Sequence, residues 1–152
     1  ATFIRVNVHT GTMVTDQGLI TGQARNTLLQ MQRYGLTTKI AADVHVKHAS
    51  PLGPESLVQA AKDTIYRGHA NALIVTGSGT GQPVDAEQLQ NLREQMPKVP
   101  VWIGSGLNPD NVRHYKRLFH TAIVGTYLHE NSDILKPIDP KRVSLMRQSL
   151  DL

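Results

Sequence analysis

Five short runs rich in β-branched and apolar residues recur along the chain, each followed by a loop and then by residues with helical periodicity. The runs are Phe3–Val8, Lys39–Val46, Ala72–Thr76, Val99–Gly104 and Thr121–Thr126. Runs of this length read as strands, and strands alternating with helices argue for a parallel sheet with right-handed crossovers. The helical segments carry their own start and stop signals. The first extends from about Gly22 to Tyr34, with Ala24, Leu28 and Met31 on one face and Gly35 placed to end it. In the second, Pro54 sits at a first helical position, Leu57, Ala61, Thr64 and Ile65 form the buried stripe, and Gly68 stops it. The third begins with Asp85 as a cap and buries Leu89, Leu92 and Met96 before Pro97. The last two open on Asn108-Pro109 and Asp139-Pro140. They are expected to bury Val112, Tyr115, Leu118 and Phe119, and then Val143, Met146 and Leu150.

Two α/β architectures fit this pattern. An open five-stranded doubly wound parallel sheet would be complete at this length. A (β/α)8 barrel of the TIM type needs roughly 250 residues, so 152 residues would supply its last five β-α units. Strand character favours the barrel. Doubly wound strands are buried on both faces and read as continuous apolar runs. Here Arg5, Asn7 and His9 alternate with Ile4, Val6 and Val8, and Asp43, His45 and Lys47 alternate with Ala42, Val44 and Val46. Polar residues gathered toward the C-terminal ends of neighbouring strands suit a barrel mouth.

The chain opens on Ala1 and enters a strand by Phe3, which reads as a cut. Five strands cannot close an eight-stranded barrel, because strand number, tilt and stagger are linked. The first and last strands would then present open edges, which pair with other chains. Self-association, or a partner segment on the N-terminal side, is the expectation.

Composition excludes several classes. Cysteine is absent, which removes disulfides, thiol catalysis and thiolate metal sites. The net charge of +4 is diffuse and no basic run is interleaved with aromatics, so no nucleic-acid partner is expected. No apolar run is long enough for a transmembrane helix and no signal peptide is visible, so a cytoplasmic location is expected.

Three constellations could carry chemistry. If both strands point their odd residues inward, Arg5, Asn7 and His9 project beside Asp43, His45 and Lys47. An acid, two imidazoles, an amine and a guanidinium in one low-dielectric mouth would shift one another's pKa values, as acid–base catalysis requires. Lys47 could serve as a Schiff-base or proton-transfer lysine, and a buried ion-pair network is the competing reading. His9, His45 and Asp43 could hold a divalent metal, but no HxH or HExxH spacing supports it, and no metal site is assigned.

The second constellation is Gly104-Ser105-Gly106 after the fourth run, paired with Gly125-Thr126 after the fifth. Glycines let backbone N–H groups approach an anion, and barrels often bind phosphate on the loops after their last two strands. A small phosphorylated ligand is the expected partner. The third is Thr76-Gly-Ser-Gly-Thr-Gly-Gln-Pro83, which includes Gly77 and Ser78. Gln82 stands where a dinucleotide fingerprint needs glycine, and no Gly-Lys-Ser/Thr follows, so a lid or ligand contact is expected rather than a nucleotide cradle. Thr10–Gly18 is a further long loop of this kind. None of these motifs identifies a cofactor.

Several of these segments together resemble the BtpA family. They are Ile4-Arg-Val-Asn-Val8, Met13-Val-Thr-Asp-Gln-Gly18, Ala42-Asp-Val-His-Val-Lys-His-Ala49, Ala72-Leu-Ile-Val-Thr-Gly-Ser78, Ile103-Gly-Ser-Gly106 and Val124-Gly-Thr126. The resemblance covers the whole chain, as the C-terminal portion of a family member. It implies one α/β domain over residues 1–152 belonging to a phosphate-binding-type barrel. It implies a photosystem I biogenesis factor peripheral to the thylakoid membrane. It also implies that Asp43, Lys47 and His48 carry the family's Asp-Val-x-Val-Lys-His element, and that Gly104, Ser105, Gly106, Gly125 and Thr126 carry its anion loops. One departure is Lys136-Pro-Ile-Asp139, where the family pattern has Asn-Pro-Val-Asp. The competing function is a phosphate-binding barrel enzyme, a lyase or isomerase of a phosphorylated sugar or nucleoside.

Overall fold

The computed structural model describes residues 1–150 apart from Lys47, Pro54, Ser78 and Thr80. The expectations placed on Lys47 and Ser78 as site residues, and on Pro54 as a helix start, therefore lie outside the described residues. Five parallel strands form the main sheet: β1 (Phe3–Val6), β4 (Lys39–Val44), β6 (Ala72–Val75), β7 (Val101–Ile103) and β8 (Thr121–Ala122). They lie in sequence order, β1-β4-β6-β7-β8. A doubly wound sheet reverses its order at a switch point. This sheet winds one way only, as a (β/α)8 barrel does, and the open doubly wound alternative is set aside.

Curl is visible in one contact. The rings of Phe3 on β1 and Trp102 on β7 meet edge to face with centroids 5.0 Å apart. Three strand spacings separate these strands in the sheet, roughly 14 Å if it were flat. The rings meet because the sheet is concave on that side and the strands between them carry the small Ala41 and Ala72 there.

The two faces divide by residue parity. Ala41, Ala72, Ile74 and Trp102 pack on the concave face. Ile40, Ala42, Val44, Leu73, Val75, Val101 and Ile103 face the helices. Helix α1 (Ala24–Arg33) lays Leu28 and Met31 against Ile40 and Ala42. Helix α2 (Leu57–Lys62) is capped by Ser56, buries Leu57, Ala60 and Ala61, and continues as a π-helical turn over Asp63–Arg67. Helix α3 (Ala86–Gln95) starts at Asp85, whose carboxylate accepts from the amides of Glu87 and Gln88, and buries Leu89 and Leu92. Helix α4 (Pro140–Leu150) buries Met146.

Three segments differ from expectation, the first being α4, where Met146 is buried but Val143 and Leu150 are 39% and 43% exposed. The stretch after Asn108-Pro109 forms one 3-10 turn, Val112–Tyr115, rather than an α-helix. Its amides bond three residues back, His114 to Asn111 and Leu118 to Tyr115, and Arg117 takes a left-handed φ of 73°. Side chains three apart are eclipsed in such a turn, so Val112 and Tyr115 are buried together while Leu118 and Phe119 are only partly buried. The Thr10–Gly18 segment is not a free loop. Strands β2 (Thr12–Thr15) and β3 (Gly18–Thr21) make a hairpin, and β5 (Ala49–Pro51) pairs with β2 to complete a small antiparallel sheet.

Candidate functional site

Strand β4 points Asp43 onto the concave face, and β1 points Arg5 at it. The guanidinium grips the carboxylate with both arms, Nε to Oδ2 at 2.8 Å and Nη2 to Oδ1 at 2.7 Å. The Asp43 side chain is 1% exposed and that of Arg5 36%. The hydrogen bond to Asp43 raises the Arg5 pKa further above its already high range. Arg5 therefore stays charged, and the pair is a fixed dipolar floor under the mouth rather than a proton donor.

Beside Arg5 lies Gly104. A Cβ there would strike the Ile74 and Thr76 methyl groups and come within 3.4 Å of Arg5 Nη2. The concave layer at this height is already full, and only glycine lets β7 pass over it.

His45 departs from expectation. Strand β4 ends at Val44, and His45 takes a left-handed φ of 52° that breaks the alternation. Its ring lines the space between the starts of α2 and α3 with Glu55, Ser56, Gln88 and Asn91, and it borders a small cavity with Asn7 and Asp43. Burial pushes its pKa below the ordinary 6.5, while the Glu55 carboxylate pulls the other way. His45 Nε2 is buried and without a hydrogen-bond partner.

His9 is not in the mouth. It is 1% exposed, and its Nε2–H donates to the Gly68 carbonyl at 2.8 Å behind the sheet, where the π-helical turn ends. Strand β1 stops at Val6, so the alternation that would have aimed His9 inward ends three residues too early. Among the described residues no three His, Asp or Glu side chains gather as metal ligands.

The glycine loops do come together. Gly104, Ser105, Gly106, Gly125 and Thr126 line one cavity of about 240 Å³ at the C-terminal ends of β7 and β8. Its shape depends on local chemistry. Asn108 accepts from the amides of Asp110 and Asn111, and Asn111 donates to the Gly106 carbonyl, so the chain leaves β7 in a closed turn. Gly106 has a φ of 74°, and an added Cβ would run into the Gln82 carbonyl. The Gly77 amide donates to Ser105 Oγ at 3.1 Å, which ties the glycine-rich loop after β6 to the loop after β7.

Gly81, Asn108, Tyr127 and Ser132 also line this cavity. Gly81 stands in the glycine-rich stretch and was legible there. Tyr127 and Ser132 belong to no motif, since short 3-10 turns bring them in.

Comparison with known proteins shows the family and the fold. The model of the BtpA family matches residues 1–151. The chain belongs to the BtpA family. It is 42% identical over 150 residues to the Photosystem I biogenesis protein BtpA of Synechocystis, covering 99% of this chain and 52% of that protein. An uncharacterized Pyrococcus abyssi protein is 44% identical over 144 residues, covering 95% of this chain and 54% of its own length. The chain thus spans about half the length of the curated BtpA-family relatives it matches. A solved structure described as "Native KDPGal structure" superposes with a TM-score of 0.52 at 13% identity, covering 97% of this chain and 60% of that one. That likeness concerns the fold alone and agrees with a partial TIM-type barrel. Among the described residues no helix is long and apolar enough to cross a membrane.

Proposed function

We propose that this BtpA-family chain binds the phosphate of a small phosphorylated molecule at the mouth of a TIM-type barrel. The observation that carries this reading is the single cavity into which Gly104–Gly106 and Gly125–Thr126 converge. It lies after the last two strands, where barrels build phosphate sites from backbone amides. The Arg5–Asp43 pair on the concave face supplies a fixed polar floor, and Asn7 and His45 line a cavity with Asp43, His45 as the candidate acid–base group and Asn7 as a hydrogen-bonding one. A barrel enzyme acting on a phosphorylated substrate, as a lyase or isomerase, is the activity this arrangement supports.

A second reading is favoured by the 42% identity to the Synechocystis protein: a photosystem I biogenesis factor peripheral to the thylakoid. The two readings are compatible if the photosystem role depends on the ligand.

Calorimetric titration with inorganic phosphate tests the site. An added side chain at Gly125 meets open space, so Gly125→Asp should fold normally while placing a negative charge at the rim. Saturable binding by the wild type, weakened at least about tenfold in Gly125→Asp, is expected. Equal affinity in both proteins, or none in either, would contradict the assignment.

A further inference from the structure

Among the described residues, none that lines the anion cavity carries a positive charge. Backbone amides and hydroxyls can reach an anion there, and their hydrogen bonds to phosphate strengthen when a cation polarises the donors. Such a cation stands directly behind the wall. Arg142, in the first turn of α4, donates through Nε to the Tyr127 carbonyl and through Nη2 to Ser132 Oγ at 2.6 Å. Its guanidinium also lies over the Tyr127 ring, 4.2 Å from the centroid. Tyr127 and Ser132 both line the anion cavity, so all three contacts end on its wall.

Neither the helix nor an ion pair accounts for this charge. A cation in the first turn of a helix opposes the helix dipole, so α4 gains nothing from a charge at that position. Among the described residues the ion pairs are Arg5–Asp43 and Arg67–Asp63, and Arg142 is in neither. The aspartates that precede it face backbone amides instead, Asp133 accepting from Leu135 and Asp139 from Lys141. The hydroxyl that Arg142 grips is placed to pass the charge on. A serine hydroxyl has one proton and accepts through its lone pairs. With Arg142 donating to Oγ, that proton turns elsewhere, and Ser132 Oγ makes no other hydrogen bond among the described residues. Ser132 is exposed, so a ligand in the cavity has access to it.

We propose that Arg142 is the positive charge of the anion cavity, a positioning residue that acts through Ser132. It fixes the Ser132 hydroxyl and polarises it, and that hydroxyl donates to a phosphate oxygen. The inference rests on the phosphate reading of the same cavity and adds to it what no described lining residue supplies, a cation that stays charged at every physiological pH.

The test is a double-mutant cycle read by calorimetric titration with inorganic phosphate, at low and at physiological ionic strength, with thermal melts as folding controls. The proteins are the wild type, Arg142→Gln, Ser132→Ala, the double variant and Arg147→Gln. Arg142→Gln and Ser132→Ala should each weaken phosphate binding about tenfold. The double variant should lie within about twofold of the weaker single variant, because the two residues act as one unit. Added salt should weaken binding by the wild type more than by Arg142→Gln, since only the former has a charge to screen. Arg147→Gln removes the same charge from the last turn of the same helix and should bind as the wild type does. A merely structural Arg142 would give losses that multiply in the double variant and an unchanged salt dependence; either result overturns the inference and leaves the anion site standing. So does wild-type affinity in Arg142→Gln. Should Arg142→Gln melt too early to titrate, Ser132→Ala decides alone, and wild-type affinity in that variant overturns the inference. No phosphate binding by the wild type overturns both readings.

Discussion

Burial holds the His45 imidazole in its neutral form, and that has a consequence for stability. In the unfolded chain the ring takes up a proton near its ordinary value of 6.5, whereas in the folded protein it does so only at lower pH. Below 6.5 the unfolded state therefore binds more protons, and stability falls as pH drops from there toward the folded value. Asp43, Glu55, Asp63 and Asp85 share cavity walls with His45, and Glu55 opposes the effect without cancelling it. His45→Gln removes the titrating group, so urea midpoints of wild type and variant should diverge on the acid side of 6.5. Parallel curves would show that the ring titrates alike in both states. Asp43 was legible from sequence because β4 alternates cleanly while it remains a strand. His45 was misplaced because Val46 prolongs the apolar pattern past the strand's end, and histidine carries no signature of a left-handed φ. His9 was misplaced for the same reason at β1.

At the scale of elements, α3 joins the core to the mouth. Leu89 and Leu92 are fully buried, and Asp85 and Gln88 at its start line the cavity at the C-terminal ends of β4 and β6. Asp85 holds that turn by accepting from Glu87 N at 2.9 Å and Gln88 N at 3.1 Å. Asp85→Ala should cost about 1 kcal/mol, read as a lower urea midpoint with an unchanged slope, and Asp85→Asn should recover most of it. An unchanged midpoint would mean that the helix start is held by its packing alone. The start of α3 was legible because a cap leading into Leu89, Leu92 and Met96 is a local signal. The 3-10 turn at Val112–Tyr115 was not, because Asn108-Pro109 opens a 3-10 and an α-helical turn alike. The choice between them is made by tertiary contacts, namely the burial of Val112 and Tyr115 and the Tyr115 hydroxyl's bond to Val84 O. The hairpin of β2 and β3 was missed because the polar and glycine residues of Thr10–Gly18 read as a loop and hide the short apolar pairs Met13-Val14 and Leu19-Ile20.

At the scale of the molecule, strands β1 and β8 each have one neighbour in the main sheet, and Phe3 and Ile4 on β1 are 48% and 37% exposed. Unpaired strand edges with apolar side chains recruit further strands. The 152-residue chain on its own should sediment at micromolar concentration as a dimer or larger species, and Ile4→Lys should shift it toward monomer. A compact monomer in both proteins would show that the open edges are protected some other way. The parallel β-α order was legible from sequence; the one-way winding became plain only from the strand order, since periodicity fixes faces and not neighbours. The central claim is that the loops after β7 and β8 form one anion site, and amide chemical shifts during a phosphate titration test it most directly. Gly104, Gly106 and Gly125 should move first and saturate together at millimolar phosphate, ahead of amides on the far side of the sheet. Glycine amides that stay in place, or shifts spread evenly over the surface, would contradict it.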